Sequence, residues 1–394
     1  MMKKDRSSGI TLVALVVTVV VLLILAGVAL NLVLGNNGIL NKAKDARQEY
    51  KQASENEQKE LSKGEDEIDK ALGQYDPAKK LPLPGKTIDE AKSDYMTENT
   101  KVTLTDGTVV VPEGFKISTE TASTVQGGVV IEDKDSNQFV WIPVADIANY
   151  KRTAYSTNVA TETIDAETNS VQIKYDSSYD DYFKEAMPED ERLSVETYYG
   201  YYIGRYEAGD KESTEATTPT MRTSSSSTEN TVTIKKEQAP YNYVTKTQAQ
   251  SLAEGMDTKQ GYKGTTKLCS SYAWDTAIAF MQKTNSDYGS SSVEGNYEDV
   301  PDFTYKDIEG ASQTKTYGSY ALIPTGQTTP VCNIYDMGGN CWEWTTERYS
   351  DTSYPCTERG GNFFYSYAVY PAGFRGIYSD DVNDSIGFRV TLFM

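Results

Sequence analysis

From Asn333 the chain reads Asn-Ile-Tyr-Asp-Met-Gly-Gly-Asn-Cys-Trp-Glu-Trp-Thr-Thr-Glu347, followed later by Arg359-Gly-Gly-Asn362 and by Ile386-Gly-Phe-Arg-Val390. Two tryptophans flank one glutamate in Trp342-Glu343-Trp344. Period-two alternation makes this a strand, with both indoles on one face and Glu343 on the other. Gly338 and Gly339 just before it signal a tight turn. Gly360 and Gly361 mark a close backbone approach or a bulge at the next strand. Ile386 to Phe393 reads as one further short apolar strand. Composition and periodicity by themselves give a β-rich core with a Trp anchor.

The wording of these blocks resembles the formylglycine-generating-enzyme (sulfatase-modifying factor) family, a variant of the C-type-lectin-like fold. Upstream, Tyr201-Tyr-Ile-Gly-Arg-Tyr-Glu207 is similar to the family's first core strand. Leu268-Cys-Ser-Ser-Tyr-Ala-Trp-Asp-Thr-Ala277 is similar to its helix entry, with Trp274 at the helix Trp. The blocks stand in the family's order and cover roughly residues 200–394. The residues between them match poorly. The resemblance implies an α+β fold: a long N-terminal transmembrane and stalk helix followed by a C-type-lectin-like globular domain.

The composition narrows the function classes. Lys plus Arg is 38 against 57 Asp plus Glu, a net charge of −19, so no basic face for nucleic acid is expected. Histidine is absent, which removes His-dependent triads and His-ligated zinc or copper. Tyrosine is frequent, at 29 residues against 10 Phe. Tyr offers large contact area at low entropy cost and suits a recognition surface, although half-exposed strands account for many of these residues.

At the N-terminus, residues 1–9 are short and basic, and Thr11 to Leu34 is almost purely apolar. About 20 such residues span a bilayer as a helix, and Lys3, Lys4 and Arg6 predict the N-terminus inside. The segment resembles a type IV prepilin start. That resemblance implies cleavage between Gly9 and Ile10, a bacterial cell-surface location with the head outside, and other pilins as partners. Ala14 stands where that family usually has Glu, which puts ordinary filament assembly in doubt. An uncleaved signal anchor and a signal-peptidase site at Gly27-Val28-Ala29 are the alternatives.

The expected organisation is a leader over 1–9 and a transmembrane and stalk helix over 10–73. A Pro-rich linker follows over 74–100. The β-rich first part of the head covers 101–199, and the lectin-like domain covers 200–394. Within the head, Asp106-Gly107 predicts a hairpin and Phe139-Val-Trp-Ile-Pro-Val144 a compact strand. Residues 151–195 read as an insertion, 212–233 as a Ser/Thr-rich loop, and 285–330 as loop-rich.

There are four cysteines: Cys269, Cys332, Cys341 and Cys356. In an extracellular setting a Cys341–Cys356 bridge is favoured, each residue starting a strand, with Cys269 and Cys332 paired or free. The family's enzymes use a cysteine pair between the Gly-Gly block and the Gly-Phe-Arg block and bind copper there. Here Asn362 to Gly387 contains no cysteine, so neither copper nor formylglycine generation is expected. The family also binds calcium at the turn into the Trp-Glu-Trp strand. Carried over residue by residue, that implies Asp336, the carbonyls of Gly339 and Cys341, and Glu343 as oxygen ligands. Without the resemblance, Glu343 reads equally well as a buried carboxylate paired with Arg375 or Arg389.

Residues 362–384 are the expected ligand-binding face. Aromatic anchors and small polar partners are combined in Asn362, Phe364, Tyr365, Tyr367, Tyr370, Phe374, Arg375, Tyr378, Asp380 and Asp381. The expected partner is a surface glycan or a protein. From Arg359 to Phe393 there is no Lys, Glu, Gln, Met or Trp, although these types make up roughly a fifth of the chain. Every residue present can be encoded by a codon ending in a pyrimidine. This resembles the variable proteins of diversity-generating retroelements, which implies hypervariability here. A minor structural pilin and an enzyme with an unassigned active site are the competing readings.

Overall fold

A computed structural model describes residues 12–34, 42, 44, 46–53, 56–57, 60, 63–64, 67, 76–153, 161–164, 171–174, 182–225, 229–350 and 353–394. The chain divides into two units, Met1–Tyr75 and Asp76–Met394. The first contains α1 (Leu12–Leu34), and its other described residues, between 42 and 67, are also helical. Gly9 and Ile10, the expected processing site, lie outside the described residues.

Among the described residues no helix is long and apolar enough to cross a membrane. This corrects the expected single-pass membrane anchor and the cell-surface placement that depended on it.

The second unit mixes helices and sheets. In chain order its main elements are β1 (Thr100–Leu104), β2 (Gly107–Val111), β3 (Val130–Glu132), β4 (Gln138–Pro143), α2 (Glu189–Tyr198), β5 (Gly200–Gly204), α3 (Lys246–Glu254), β6 (Thr265–Leu268), α4 (Ser271–Met281), β7 (Trp342–Tyr349), β8 (Cys356–Arg359), β9 (Arg375–Tyr378), β10 (Ile386–Phe388) and β11 (Val390–Phe393). One sheet runs β6-β11-β5-β4-β3 and ends on Lys116–Ile117. A second runs β10-β7-β8-β9 and continues into Thr161–Ile164 and Val171–Lys174, with Phe183–Lys184 also pairing to β7. The segment expected as an insertion thus adds strands to the second sheet.

The first sheet is apolar on both faces, so β4 has no polar alternation. Phe139 and Trp141 join one buried cluster, together with Tyr202, Trp342, Trp344 and Phe388. Val140 and Ile142 join another, with Tyr201, Ile203 and Trp274. Burial on both faces selects for such a continuous run. The Asp106-Gly107 signal is realised as the β1–β2 hairpin, in which Leu104 faces Gly107.

Helix α4 closes the second cluster. Its N-cap Ser270 accepts a hydrogen bond from the Ala273 N–H, and its residues are apolar almost all round, as suits a buried helix. Trp274 is fully buried and donates from Nε1 to the Ala372 carbonyl at 2.9 Å. That bond ties the helix to the segment between β8 and β9.

The strand expected over Ile386–Phe393 is two strands, broken at Arg389. β10 runs parallel to β7 in the second sheet, and β11 runs antiparallel to β5 and β6 in the first. Arg389 turns its side chain into the space between, donating to the Gly204 and Tyr335 carbonyls and to Glu343. The break lets one short segment serve both sheets.

Candidate functional site: an aromatic cavity over the second sheet

Alternation on β7, β8 and β9 separates two chemistries. Glu343 faces Arg359 and Trp344 faces Glu358 across the β7–β8 pair. Glu358 in turn faces Gly376, and Arg359 faces Arg375, across β8–β9. Residues directly opposite share a face. Trp344, Glu358 and Gly376 therefore lie on one side, with Arg359 and Arg375 on the other.

The arginine side is a buried ion-pair network. Arg375 Nη2 lies 2.5 Å from Asp275 Oδ2, and its Nε lies 3.1 Å from Glu347 Oε2. Arg359 Nη2 reaches Asp275 Oδ1 at 2.6 Å, and Arg152 Nη2 reaches Glu347 Oε1 at 2.6 Å. Burial opposes ionisation of Glu347, but Arg375, Arg359 and Arg152 together hold its pKa below the usual carboxylate value. Such a network is costly to break and holds the three strands in register. Arg375, expected at the ligand face, is in this network instead.

The other side carries a cavity of about 410 Å³, lined by Trp342, Tyr354, Glu358, Asn362, Phe364, Tyr365, Tyr370, Ile377, Tyr378, Asn383, Ser385 and Ile386. Five expected residues are brought together there: Asn362, Phe364, Tyr365, Tyr370 and Tyr378. The other five lie elsewhere. Phe374 is fully buried beneath the wall, its ring centroid 5.4 Å from Trp342 and 4.7 Å from Tyr370. Tyr367 rests edge-on against Tyr297. Asp380 accepts from the backbone and hydroxyl of Thr247 in the first turn of α3. Asp381 is exposed and accepts from the Val382 N–H.

Sequence reasoning missed Trp342 and Glu358 as cavity residues. The signal for Trp342 was present, because alternation puts it on the same face as Trp344. Glu358 needed the strand pairing as well. Its position also depends on Gly376, where an added Cβ would meet Glu358 Cγ at 2.8 Å and Oε1 at 2.9 Å. The missing side chain leaves room for the glutamate to lie across the neighbouring strand.

The expected calcium ligands sit behind the cavity in a buried acidic group. Arg389 grips Glu343 through Nε–Oε2 at 2.9 Å and Nη2–Oε1 at 2.6 Å. Asp336 accepts from the Gly326 N–H at 2.6 Å and from the Thr328 hydroxyl at 3.3 Å. Both oxygens of Glu343 and of Asp336 accept hydrogen bonds. Among the described residues no group of three or more Cys, Asp or Glu could hold a metal ion. Arg389 already supplies the counter-charge of Glu343 that an ion would provide.

Glu207 joins this group, accepting from Asn340 Nδ2. Burial, then Asp336 and Glu343, push its pKa well above the usual value. Burial pushes Glu343 up to about 7 against the pull of Arg389.

All four cysteines are buried free thiols. The expected Cys341–Cys356 bridge is corrected by strand geometry. Arg359 faces Glu343, and Cys356 faces Arg348. The two cysteines thus lie on opposite sides of that pair, about 17 Å apart along the strands, against an upper limit of ~6.8 Å between bridged Cα atoms.

The Sulfatase-modifying factor enzyme 1-like domain matches residues 93–392. Among solved structures, the chain is similar to PvdO from Pseudomonas aeruginosa at 15% identity, covering 67% of this chain and 98% of that one with a TM-score of 0.36. It is similar to CarF at 15% identity, covering 50% and 87% with a TM-score of 0.34. It is also similar to Treponema denticola variable protein 1 at 12% identity, covering 66% and 96% with a TM-score of 0.33. No curated protein matches the chain. The family match spans most of the chain and includes every residue of the cavity. The chain belongs to the sulfatase-modifying factor enzyme 1-like family, and its second unit carries that family's formylglycine-generating-enzyme-type, C-type-lectin-like domain.

Proposed function

We propose that this chain is a ligand-binding protein whose lectin-like domain recognises a glycan or protein group in the aromatic cavity and performs no formylglycine chemistry. The observation that carries the reading is the composition of the cavity itself. The interval 362–387, where the resemblance expects reactive thiols, has none and supplies Phe364, Tyr365, Tyr370 and Tyr378 to the cavity instead. Rigid aromatic side chains around a concave site favour binding over thiol chemistry.

The test is binding of the full-length chain to glycan and protein arrays. Changing Tyr365, Tyr370 and Tyr378 together to Ala should abolish a hit while the melting temperature stays within a few degrees. An unchanged hit would sink the reading.

The same interval is also the proposed site of sequence variation. Its lack of Lys, Glu, Gln, Met and Trp coincides with its place along the cavity. Sequencing of the surrounding locus decides this: a near-copy of the coding segment beside a reverse transcriptase supports variation, and absence of both removes it.

A further inference from the structure

The cavity holds hydrogen-bond donors that no other protein group uses, and they define a narrower ligand class than the reading above, on which this step rests. We propose that it takes the acetamido group of an N-acetylated amino sugar, whose carbonyl oxygen accepts from the Trp342 indole N–H and the Asn362 amide.

Buried indole N–H groups usually find an acceptor. Trp274 Nε1 donates to the Ala372 carbonyl at 2.9 Å, and Trp344 Nε1 to the Val244 carbonyl at 3.0 Å. Trp141 Nε1 is sealed in the core without a partner. Trp342 differs from all three. It is only 4% exposed and lines the cavity, and its Nε1 donates to no acceptor among the described residues yet is not sealed from solvent. Asn362 repeats the pattern at 1% exposure. Its Oδ1 accepts from the Phe364 N–H at 3.0 Å, which fixes which way the amide is turned. Its Nδ2 donates to no acceptor among the described residues and is likewise not sealed. Nearby, the Tyr378 hydroxyl accepts from Asn383 Nδ2 at 2.9 Å, so its own proton is left to donate. Buried donors without acceptors are costly, and two of them on one cavity await an acceptor brought by a ligand.

The acceptor should be neutral. Among the described residues lining the cavity there is no Lys or Arg, and the chain's net charge of −19 excludes anions. An amide carbonyl is a strong neutral acceptor. The buried side chains of Ile377 and Ile386 line the same cavity and offer apolar surface to an acetyl methyl. The cavity's ~410 Å³ lies in the range of small-ligand sites. A peptide amide would present the same carbonyl, but the cavity's edge favours a sugar. Phe364 lines the cavity and is still 40% exposed, and it packs at 5.4 Å between centroids against Tyr320, which is 57% exposed. The packed pair forms an open aromatic shelf that matches the flat C–H face of a pyranose ring.

The test titrates the full-length protein with the methyl glycosides of N-acetylglucosamine and N-acetylgalactosamine. Each is compared with the methyl glycoside of its parent sugar, which has a hydroxyl in place of the acetamido group. Saturation-transfer NMR and calorimetry follow binding. At least one acetamido sugar should bind about tenfold or more tighter than its parent, the scale of two hydrogen bonds to otherwise unmet donors. Its acetyl methyl should receive the strongest saturation. Trp342→Phe removes the indole N–H, and Asn362→Asp turns the donor into an acceptor while keeping the bond from Phe364. Each should bring the affinity down to that of the parent sugar. Equal binding of acetamido and parent sugars overturns the proposal. No binding of either acetamido sugar at ~100 mM, far above the range of a specific site, also overturns it. N-acetylglycine N-methylamide carries the carbonyl without a sugar ring and should bind more weakly; equal or tighter binding overturns the assignment to a sugar. These failures leave the broader ligand-binding reading to its own array test. Conversely, array signals that survive the triple Tyr change would remove that reading whatever the sugars do. The comparison on the unmodified protein stands whether or not the two variants fold.

Discussion

Arg389 and Glu343 are both fully buried and meet through two parallel hydrogen bonds, with Arg389 also donating to the Gly204 and Tyr335 carbonyls. The arginine satisfies backbone acceptors of two separate segments as well as a carboxylate. Replacing it by Met strands Glu343 and two carbonyls together. Arg389→Met should cost about 3–5 kcal/mol of unfolding free energy, the usual penalty for an unpaired buried charge. Adding Glu343→Gln to it should recover part of that loss. Urea denaturation of the two variants measures both, and a double variant no more stable than the single one would refute the pairing as the main cause.

Stability should fall as pH rises from about 5 to about 8. Glu343 and Glu207 have folded pKa values above the ordinary 4.5, Glu343 at about 7. Below 4.5 both groups are protonated in the folded and unfolded chains, and their stabilising contribution is complete. As pH rises, the unfolded chain releases these protons before the folded one does, so the contribution is lost through the folded pKa. The loss is on the order of 2 kcal/mol. Glu207→Gln imitates the neutral acid beside Asn340 and should flatten the decline. Denaturation midpoints at pH 5 and pH 8 for both proteins check this, and a parallel decline in the two would contradict it.

Gly376→Ala should disturb the cavity more than the fold. The new Cβ would meet Glu358 at its Cγ and Oε1, forcing the carboxylate aside. The expected result is a loss of about 1–2 kcal/mol, typical of a small overpacking change. Affinity for any ligand identified on the arrays should fall as well, because Glu358 lines the cavity. Calorimetry of unfolding and a titration with that ligand separate the two effects.

All four thiols should resist iodoacetamide in the folded protein and react completely once it is unfolded. Burial raises the thiol pKa of Cys269, Cys332 and Cys341, and pushes Cys356 up to about 11. The reactive thiolate is therefore scarce. Mass spectrometry should count no adduct in the native protein and four after denaturation. A Cys341–Cys356 peptide in a non-reducing digest would overturn the strand register described for β7 and β8.

Gly361 should tolerate no side chain. Its φ is +70°, a region L-residues rarely adopt, and a Cβ there would press on the Tyr370 carbonyl. Gly361→Ala should cost about 1–3 kcal/mol, read as a lowered melting temperature.

Much of the fold could be read from local patterns. Trp342-Glu343-Trp344 alternates in the structure as it does in the sequence, and the segment around Trp274 forms the helix that its resemblance to the family's helix entry implies. The glycines before Asn362 do mark a close approach. Partner choice was not legible. Glu343 had two candidate arginines, and only the three-dimensional path of β10 and β11 brings Arg389 to it. Arg375 looked like a ligand contact because it sits among aromatic residues in sequence. One step along a strand reverses the face, and that step moves it from the cavity to the ion-pair network. Glu358 was overlooked for the same reason: its role depends on Gly376, eighteen positions away, lying beside it in the sheet.

The placement of β11 has a consequence for the order in which the protein can be made. This strand is interior to its sheet, flanked by β5 and β6. Leu392 pairs with Tyr202, 190 positions earlier. Until Val390–Phe393 has been synthesised, β5 and β6 each expose an unpaired edge and the apolar residues meant to lie beneath β11. At ~5–20 residues per second, a ribosome leaves that gap open for about 10–40 s. Hydrophobic strand edges held open for so long invite pairing with other chains. Expression conditions that slow elongation should therefore lower the soluble yield of this domain, whereas those that shield nascent chains should raise it.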